Sequence, residues 1–255
     1  MPMKALTAAL ALTTALSSPA LAFDPAAMSQ TEKDAFGAAV KDYLMENPEV
    51  LVEAINALEE RRVANEAQND SAMVKANAED IFNDGHSWVG GNPDGDLTMV
   101  EFIDYKCSVC RRFTPDVEKA VANDGNVRFI LKELPILGQE SDLAARFAIA
   151  VQQIAGDGAY KKVHDALMTQ RAPVTVESLT QLAKQTGVDA DAAIKRMHTE
   201  PVSDVLRANA QLAERMRIMG TPTFIIGDQM LRGVPRAGMT ATLAEIRKTG
   251  TAQDG

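Results

Sequence analysis

Cys107 and Cys110 are the two cysteines of this chain, and Cys107-Ser108-Val109-Cys110 spaces them three apart. A strand-like run ends just before them and a helix-like run begins with them. A dithiol at this spacing closes a very small loop, so on the chain-entropy model it does little as a staple. At the start of a helix, however, the first sulfur meets unpaired backbone N–H groups and the positive end of the helix dipole. Both favour thiolate, the form that attacks disulfides. Two buried small hydrophobes, or half of a metal site, are the plainer readings of such a pair; the spacing and position favour redox exchange.

A proline and two ionisable residues extend the chemistry. In Gly220-Thr221-Pro222-Thr223-Phe224 a proline opens a strand. It lacks the donor that a central ladder needs, so it must lie at an edge or in a special turn. A cis Thr221–Pro222 bond is one solution, and it turns the Thr221 backbone outward to pair with an incoming extended peptide. Glu101 and Lys132 each sit inside an apolar strand-like run. They either line a solvated face of the sheet or lie together under Cys107 as a buried pair able to relay a proton to the second thiol. Cys107 is expected at the strand-to-helix corner with its sulfur exposed, and Cys110 one turn inward and buried.

Other candidate ligands are scattered. His86, His164 and His198 are far from the cysteines in sequence, which argues against a cysteine–histidine zinc site. Met216 and Met219 lie one turn apart beside the proline loop, a spacing that suits core packing, although thioether with thiolate also suits Cu(I). No cofactor and no resident metal are expected.

The elements that must position these residues can be read along the 255 residues. Lys4, the apolar run over residues 5–16 and Ala20-Leu21-Ala22 form an export signal over residues 1–22, with a mature chain beginning at Phe23. Ser17, Ser18 and Pro19 interrupt the run well short of the roughly 20 residues a membrane span needs. The formal charge of −9 falls by one more when that segment, which carries Lys4 and no acid, is removed. So acidic a chain is a poor partner for nucleic acid or anionic membrane. Two cysteines in an exported protein of this size also exclude a disulfide-scaffolded fold.

Residues 28–84 read as helical throughout. Ser29 and Glu32 form a capping box, Phe36, Val40, Tyr43 and Leu44 recur on one helical face, and Asn47-Pro48 ends one helix and starts another that carries Leu51, Ile55 and Leu58. This segment has no core of its own. Its stripe is covered either by the rest of the chain or by the same stripe on another copy, and self-association is the preferred reading. Residues 66–84, polar and rich in alanine, are expected to be an exposed helix or linker.

Residues 85–255 alternate in type. Strands are expected over 86–89, 99–105 and 127–134, a helix over 107–122 kinked by Pro115, helices throughout 141–219, a hairpin around Gly227-Asp228 and a last helix over 239–248. A βαβ unit and a ββα unit around one sheet give an α/β layer architecture.

Together, the strand, Cys-x-x-Cys helix, helical insert and Thr-Pro loop resemble the DsbA branch of the thioredoxin-like thiol–disulfide oxidoreductases, over about residues 87–248. The stretch Asn47-Pro48-Glu49-Val50-Leu51 and the helix after it are similar to the N-terminal extension of ScsC-like members, periplasmic isomerases that the extension makes trimeric. The resemblance implies a thioredoxin-like sheet with a helical insert at about 138–219, a stalk over 23–84 and a catalytic domain over 85–255. It implies Cys107 as nucleophile, Cys110 as resolving thiol, Pro222 as the cis-proline with Thr221 before it, Glu101 as the buried acid and Lys132 as its basic partner. It also implies exported cysteine-containing clients, a membrane redox partner and a homo-oligomer.

Two features depart from the pattern. Ser108-Val109 is neither the Pro-His of DsbA nor the Pro-Tyr common in ScsC-like proteins, so a side-chain stabiliser of the thiolate is missing and a milder oxidant is expected. Thr221 replaces the valine that DsbA carries before its proline. Both lean toward isomerase or reductase use; a monomeric DsbA-like oxidase and a copper(I)-handling protein are the alternatives.

Overall fold

The computed structural model describes residues 28–251. The export segment expected over residues 1–22 lies outside them. The chain forms two compact units, one ending at Glu60 and the other beginning at Arg61.

In the first unit, α1 spans Gln30–Glu46 and is followed by the opening turns of α2, which spans Glu49–Ala76. The capping box is formed: the Ser29 hydroxyl accepts from the Glu32 N–H, and the Glu32 carboxylate accepts from the Ser29 N–H at 2.8 Å. Asn47 closes α1, donating from its side chain to the Tyr43 carbonyl at 2.9 Å. No residue of α1 is buried, and Val40, Tyr43, Leu51, Ile55 and Leu58 are all exposed.

The second unit is built on a five-stranded sheet in the order β1-β3-β2-β4-β5. These strands are Trp88–Gly91, Leu97–Ile103, Val127–Glu133, Thr223–Ile226 and Gln229–Arg232 for β1 to β5. β2 and β3 are parallel, joined by α4 (Ser108–Asp124), and every other pairing is antiparallel. A parallel pair needs a crossover, and the helix that supplies it here is the one that starts at the cysteines. Gly125, left-handed at φ 69°, ends α4 and turns the chain into β3.

Between β3 and β4 lie five helices: α5 (Gln139–Ala155), α6 (Asp157–Thr169), α7 (Val176–Thr186), α8 (Ala190–Arg196) and α9 (Glu200–Arg215). They break at Gly156, Ala172-Pro173 and Gly187, as the turn residues foretell. After the β4–β5 hairpin, α10 (Met239–Thr251) packs against α4, with the Asp116 carboxylate accepting from the Met239 N–H at 3.0 Å.

Strand alternation divides the core in two. Met99, Ile103, Phe129, Leu131, Phe224 and Ile226 point to the layer that holds α4, α10 and the helical insert. Val100, Phe102, Ile130 and Ile225 point the other way, against Val74 of α2, Ile81 of α3 (Ala78–Phe82) and Leu212 and Met216 from the end of α9.

That second layer corrects the expectation for residues 66–84. They are not an exposed linker: Asp70, Val74 and Ile81 are buried in the second unit. Burying a side chain such as Val74 or Ile81 yields about 1.5–3 kcal/mol, enough to hold an otherwise polar segment down. Asp70 accepts from Arg232 of β5 through both of its oxygens, and the Ser71 hydroxyl donates to Asp228 in the hairpin turn at 2.8 Å. A polar sequence with one apolar residue per turn or two reads as solvated; the partners of Asp70 and Ser71 lie more than 150 residues away. No described helix is long and apolar enough to cross a membrane.

Candidate active site

Cys107 is the N-cap of α4. Its backbone is extended (φ −68°, ψ 111°), and its sulfur accepts from the Cys110 N–H at 3.2 Å. One of the unpaired N–H groups of the first turn is therefore aimed at the Cys107 sulfur, where it can stabilise charge that develops there. The peptide bond between Thr221 and Pro222 is cis, and the Cys107 thiol donates to the Thr221 carbonyl at 3.2 Å. That loop corrects a second expectation. The Cys107 sulfur is not openly exposed; the residue is only 6% accessible, because the Thr221 carbonyl lies against it.

Cys110 is fully buried. Burial, and then its hydrogen bond with Cys107, push its thiol well above the ordinary cysteine range, so it needs a base before it can attack. Both cysteines are free thiols. Arg111, the next residue, donates from Nε to the Met168 carbonyl at 2.8 Å and from Nη2 to the Gln170 carbonyl, which fastens the active-site helix to the end of α6.

Glu101 and Lys132 are both buried, neither on a solvated face. They are not a pair. In the parallel β2–β3 register Glu101 lies beside Leu131, and Lys132 lies beside Phe102. Alternation then puts the two side chains on opposite faces of the sheet, so no acid–base relay runs between them.

Glu101 faces the α4 layer. Burial, then the neighbouring charges of Cys107 and Glu118, push its carboxyl up to about 8, and its Oε1 has no hydrogen-bond partner. A carboxyl with a value near neutral, electrostatically coupled to Cys107, can hold a proton or take one near neutral pH. Lys132 instead meets Asp84, which also accepts from the Ser87 N–H at 2.9 Å and the Ser87 hydroxyl at 2.6 Å. Burial alone would raise Asp84, but the Lys132 ammonium and the Ser87 hydrogen bonds hold it down at about 2. This pair anchors the back of the sheet.

Sequence reasoning missed a second polar cluster on the face that holds Glu101. Glu133 ends β3, and its Oε1 accepts from the Tyr160 hydroxyl at 2.5 Å and from the Tyr105 hydroxyl at 3.5 Å. Tyr105 also meets His164 Nδ1 at 3.2 Å. All four residues are buried. Burial pushes the Glu133 carboxyl up to about 7 and the His164 imidazole down to about 4. The cluster clamps Tyr105, two residues ahead of Cys107. No motif could have assembled it, since its members come from three separate parts of the chain: the loop after β2, the end of β3 and α6.

As for metals, a ring nitrogen of His164 and carboxylate oxygens of Glu118 and Asp165 lie within 4.8 Å of one another. The Lys161 ammonium bridges both carboxylates, at 2.8 and 2.5 Å, so half of the group's negative charge is already met from within. Met216 is buried in the second core layer while Met219 is 90% accessible, so the two thioethers do not form one donor set.

A model of the DsbA-like thioredoxin domain matches residues 98–243, from β2 through the cysteines and the cis-proline loop to α10. The chain belongs to the DsbA-like thioredoxin family. A model described as the N-terminal domain of the copper resistance protein ScsC matches residues 32–64, which covers α1 and the start of α2. Among solved structures, this DsbA-like chain is similar to Proteus mirabilis ScsC in a transitional conformation, at 30% identity and a TM-score of 0.62, with 90% of this chain and 100% of that one covered. It is also similar to a periplasmic thioredoxin-like protein from Salmonella enterica serovar Typhimurium, at 32% identity and a TM-score of 0.59, over 69% of this chain and 95% of that one. Disulfide bond formation protein D of Bacillus subtilis is 28% identical over 152 residues, which is 56% of this chain and 68% of that protein. Other matches are to parts of much longer proteins: the chain spans 22% of a Na(+)/H(+) antiporter NhaA 3 from Salinispora tropica, at 24% identity.

Proposed function

We propose that this protein exchanges thiols and disulfides on exported proteins in the periplasm, chiefly as an isomerase or reductase. The observation that carries the reading is the Cys107 sulfur, held between the Cys110 N–H and the Thr221 carbonyl of the cis-proline loop. The Cys107 thiolate attacks one sulfur of a client disulfide; that S–S bond breaks, the other client sulfur leaves as thiolate, and a mixed disulfide forms. Either a client thiolate then displaces Cys107, which reshuffles the client with no net redox change, or the Cys110 thiolate does. The second route leaves the client reduced and Cys107–Cys110 oxidised, to be reduced again by a membrane partner. Glu101 takes the Cys110 proton in that step. When Cys107 gives up its own proton, the Thr221 carbonyl is released to accept from the client backbone.

Cys110→Ala removes the second route. The variant should accumulate a covalent client complex, visible as a slower band on a non-reducing gel that thiol reductant dissolves, whereas Cys107→Ala should give none. A Cys107→Ala protein that still reduces insulin would sink the assignment of the nucleophile.

Periplasmic location is supported by the export-type segment and by the periplasmic relative in Salmonella. Self-association through α1 and the first turns of α2 is supported by their exposed apolar residues and by the match to the ScsC N-terminal domain. A stalked oligomer gathers several dithiols around one client and hinders a bulky oxidase, which favours isomerisation. Removing residues 23–60 should convert the oligomer to monomer by light scattering and lower the refolding of scrambled ribonuclease. A full-length protein that is monomeric at micromolar concentration contradicts the stalk, and leaves a DsbA-like oxidase as the better reading.

A further inference from the structure

Tyr105 stands in the middle of the turn that presents the nucleophile. The Cys107 N–H donates to the Asp104 carbonyl at 3.0 Å, which closes a four-residue turn with Tyr105 and Lys106 at its centre. The Asp104 carboxylate accepts from the Lys106 N–H at 2.7 Å and stiffens that turn. The Tyr105 side chain is buried beneath it. Its hydroxyl has one proton to give and two acceptors within reach, His164 Nδ1 at 3.2 Å and Glu133 Oε1 at 3.5 Å.

Packing holds the rings and leaves the choice to protons. Tyr105 meets His164 edge-on with ring centroids 5.6 Å apart, His164 stacks on Tyr160 at 5.9 Å, and Tyr160 stacks on Trp88 at 6.0 Å. The His164 imidazole, held down at about 4 by burial, is neutral near pH 7. Its Nδ1 therefore either accepts from Tyr105 or donates to it, according to which nitrogen carries the hydrogen. Glu133 changes charge where His164 does not, because burial pushes its carboxyl up to about 7. The groups that face Glu133 are the Tyr160 hydroxyl at 2.5 Å and the Tyr105 hydroxyl, with the Lys132 charge bearing on it from the adjoining position. From α9 the Asn209 amide donates to its backbone carbonyl at 3.1 Å, and Asp165 and Lys161 bear on His164 from its own helix.

While Glu133 is protonated, Tyr105 donates to His164, the nearer acceptor. An ionised carboxylate draws a hydroxyl in to about 2.5–2.7 Å. The present separation is 3.5 Å, so ionising Glu133 turns the Tyr105 proton toward it and pulls on the centre of the turn. We propose that Tyr105, His164 and Glu133 are positioning residues for Cys107, a proton-operated brace in which ionisation of Glu133 draws Tyr105 off His164 and makes the nucleophile less reactive. The new buried charge acts in the same direction, since it opposes a second negative charge on sulfur. The proposal rests on the dithiol reading above and adds a regulation of that site. As pH rises, more of any thiol becomes thiolate. A brace that slackens over the same range keeps exchange from growing in step.

The test divides rate by thiolate. The reduced full-length protein is reacted with hydroxyethyl disulfide, a small neutral substrate, from about pH 5 to pH 9, while ultraviolet absorbance reads the thiolate fraction. Cys110, whose thiol burial holds protonated over this range, adds nothing to that reading. The rate per thiolate should fall about fivefold, a part of the roughly 10²-fold that a 1 Å misplacement can cost. The fall should be centred near pH 7, where Glu133 ionises. Glu133→Gln and Tyr105→Phe should each abolish the inflection. Tyr160→Phe takes away a hydrogen bond that favours the ionised acid, so it should keep the inflection and move it to higher pH. A merely structural cluster would show no such shift, and the shift decides the matter even where Glu133→Gln is too unstable to assay. A parent whose rate per thiolate stays flat overturns the proposal. So does an inflection that survives Glu133→Gln, which would belong to Glu101. A parent that fails to react with the disulfide at any pH overturns the dithiol reading instead.

Discussion

Glu101→Gln should make the protein more stable than the parent at alkaline pH, and slower. In the folded chain the Glu101 carboxyl sits near 8, against an ordinary value of 4.5. Its native value is raised, so between about 4.5 and 8 the native state holds a proton that the unfolded chain has released. Stability therefore falls as pH rises through that window. It is fully present below 4.5 and lost above 8. At roughly 1.4 kcal/mol per pH unit, the parent loses on the order of 5 kcal/mol across the window from this one group. Glutamine mimics the protonated acid at every pH, so the variant escapes that loss. Urea unfolding at pH 4 and pH 9 checks it: near-equal stabilities at pH 4 and a gap of several kcal/mol at pH 9 are expected. A gap that does not change with pH would mean that Glu101 is not a buried neutral acid.

On the proposed mechanism, the same substitution removes the proton acceptor for Cys110. Resolution of the mixed disulfide should slow by about 10²-fold, the usual scale of a lost general base. Alkylation of Cys107 in the reduced protein, which does not use that proton, should change far less. Stopped-flow measurement of the two steps separates them.

Asp84→Ala should destabilise the catalytic unit by about 3–5 kcal/mol, because it leaves the Lys132 ammonium without its anion inside the core. Lys132 is wholly buried, and burial already pulls its ammonium below the ordinary lysine range. The double variant Asp84→Ala/Lys132→Met should recover most of the loss, since a buried ion pair and a packed apolar residue of similar volume are often close in stability. A double variant as unstable as the single one would show that Asp84 acts through Ser87 and the local turn, and not through Lys132. In the parent the pair has a pH signature of the opposite sign to Glu101. The carboxyl is held down at about 2, against 3.8 ordinarily, so its contribution is present above 3.8 and is lost as pH falls toward 2.

The two predictions concern residues that look alike in sequence, each an ionisable group inside an apolar strand. Their fates diverge through strand register. Glu101 stands beside Leu131 in the β2–β3 ladder, and a shift of one residue would have put it beside Lys132. Spacing along either strand carries no information about that choice, because register is set by packing on both faces together. The Glu133, Tyr105, Tyr160 and His164 cluster was hidden for the same reason. It joins residues from separate elements that only the sheet brings together. Residues 66–84 were misread because one valine and one isoleucine in a polar run look incidental until both fill one core layer.

Local chemistry did reach the sequence. The Ser29–Glu32 capping box, the breaks at Gly156 and Gly187, the hairpin at Gly227-Asp228 and the cis Thr221–Pro222 bond depend on residues within a few positions of one another. So does the central feature, a cysteine at the N-cap of the crossover helix with a second cysteine one turn in. Composition and order determined a thioredoxin-like dithiol domain behind a helical extension, since propensity, capping and turn geometry act over short range. Tertiary structure alone decided that Cys107 is shielded by the Thr221 carbonyl, that Glu101 stands without a basic partner, and that Lys132 serves the opposite face, because those outcomes turn on register and burial.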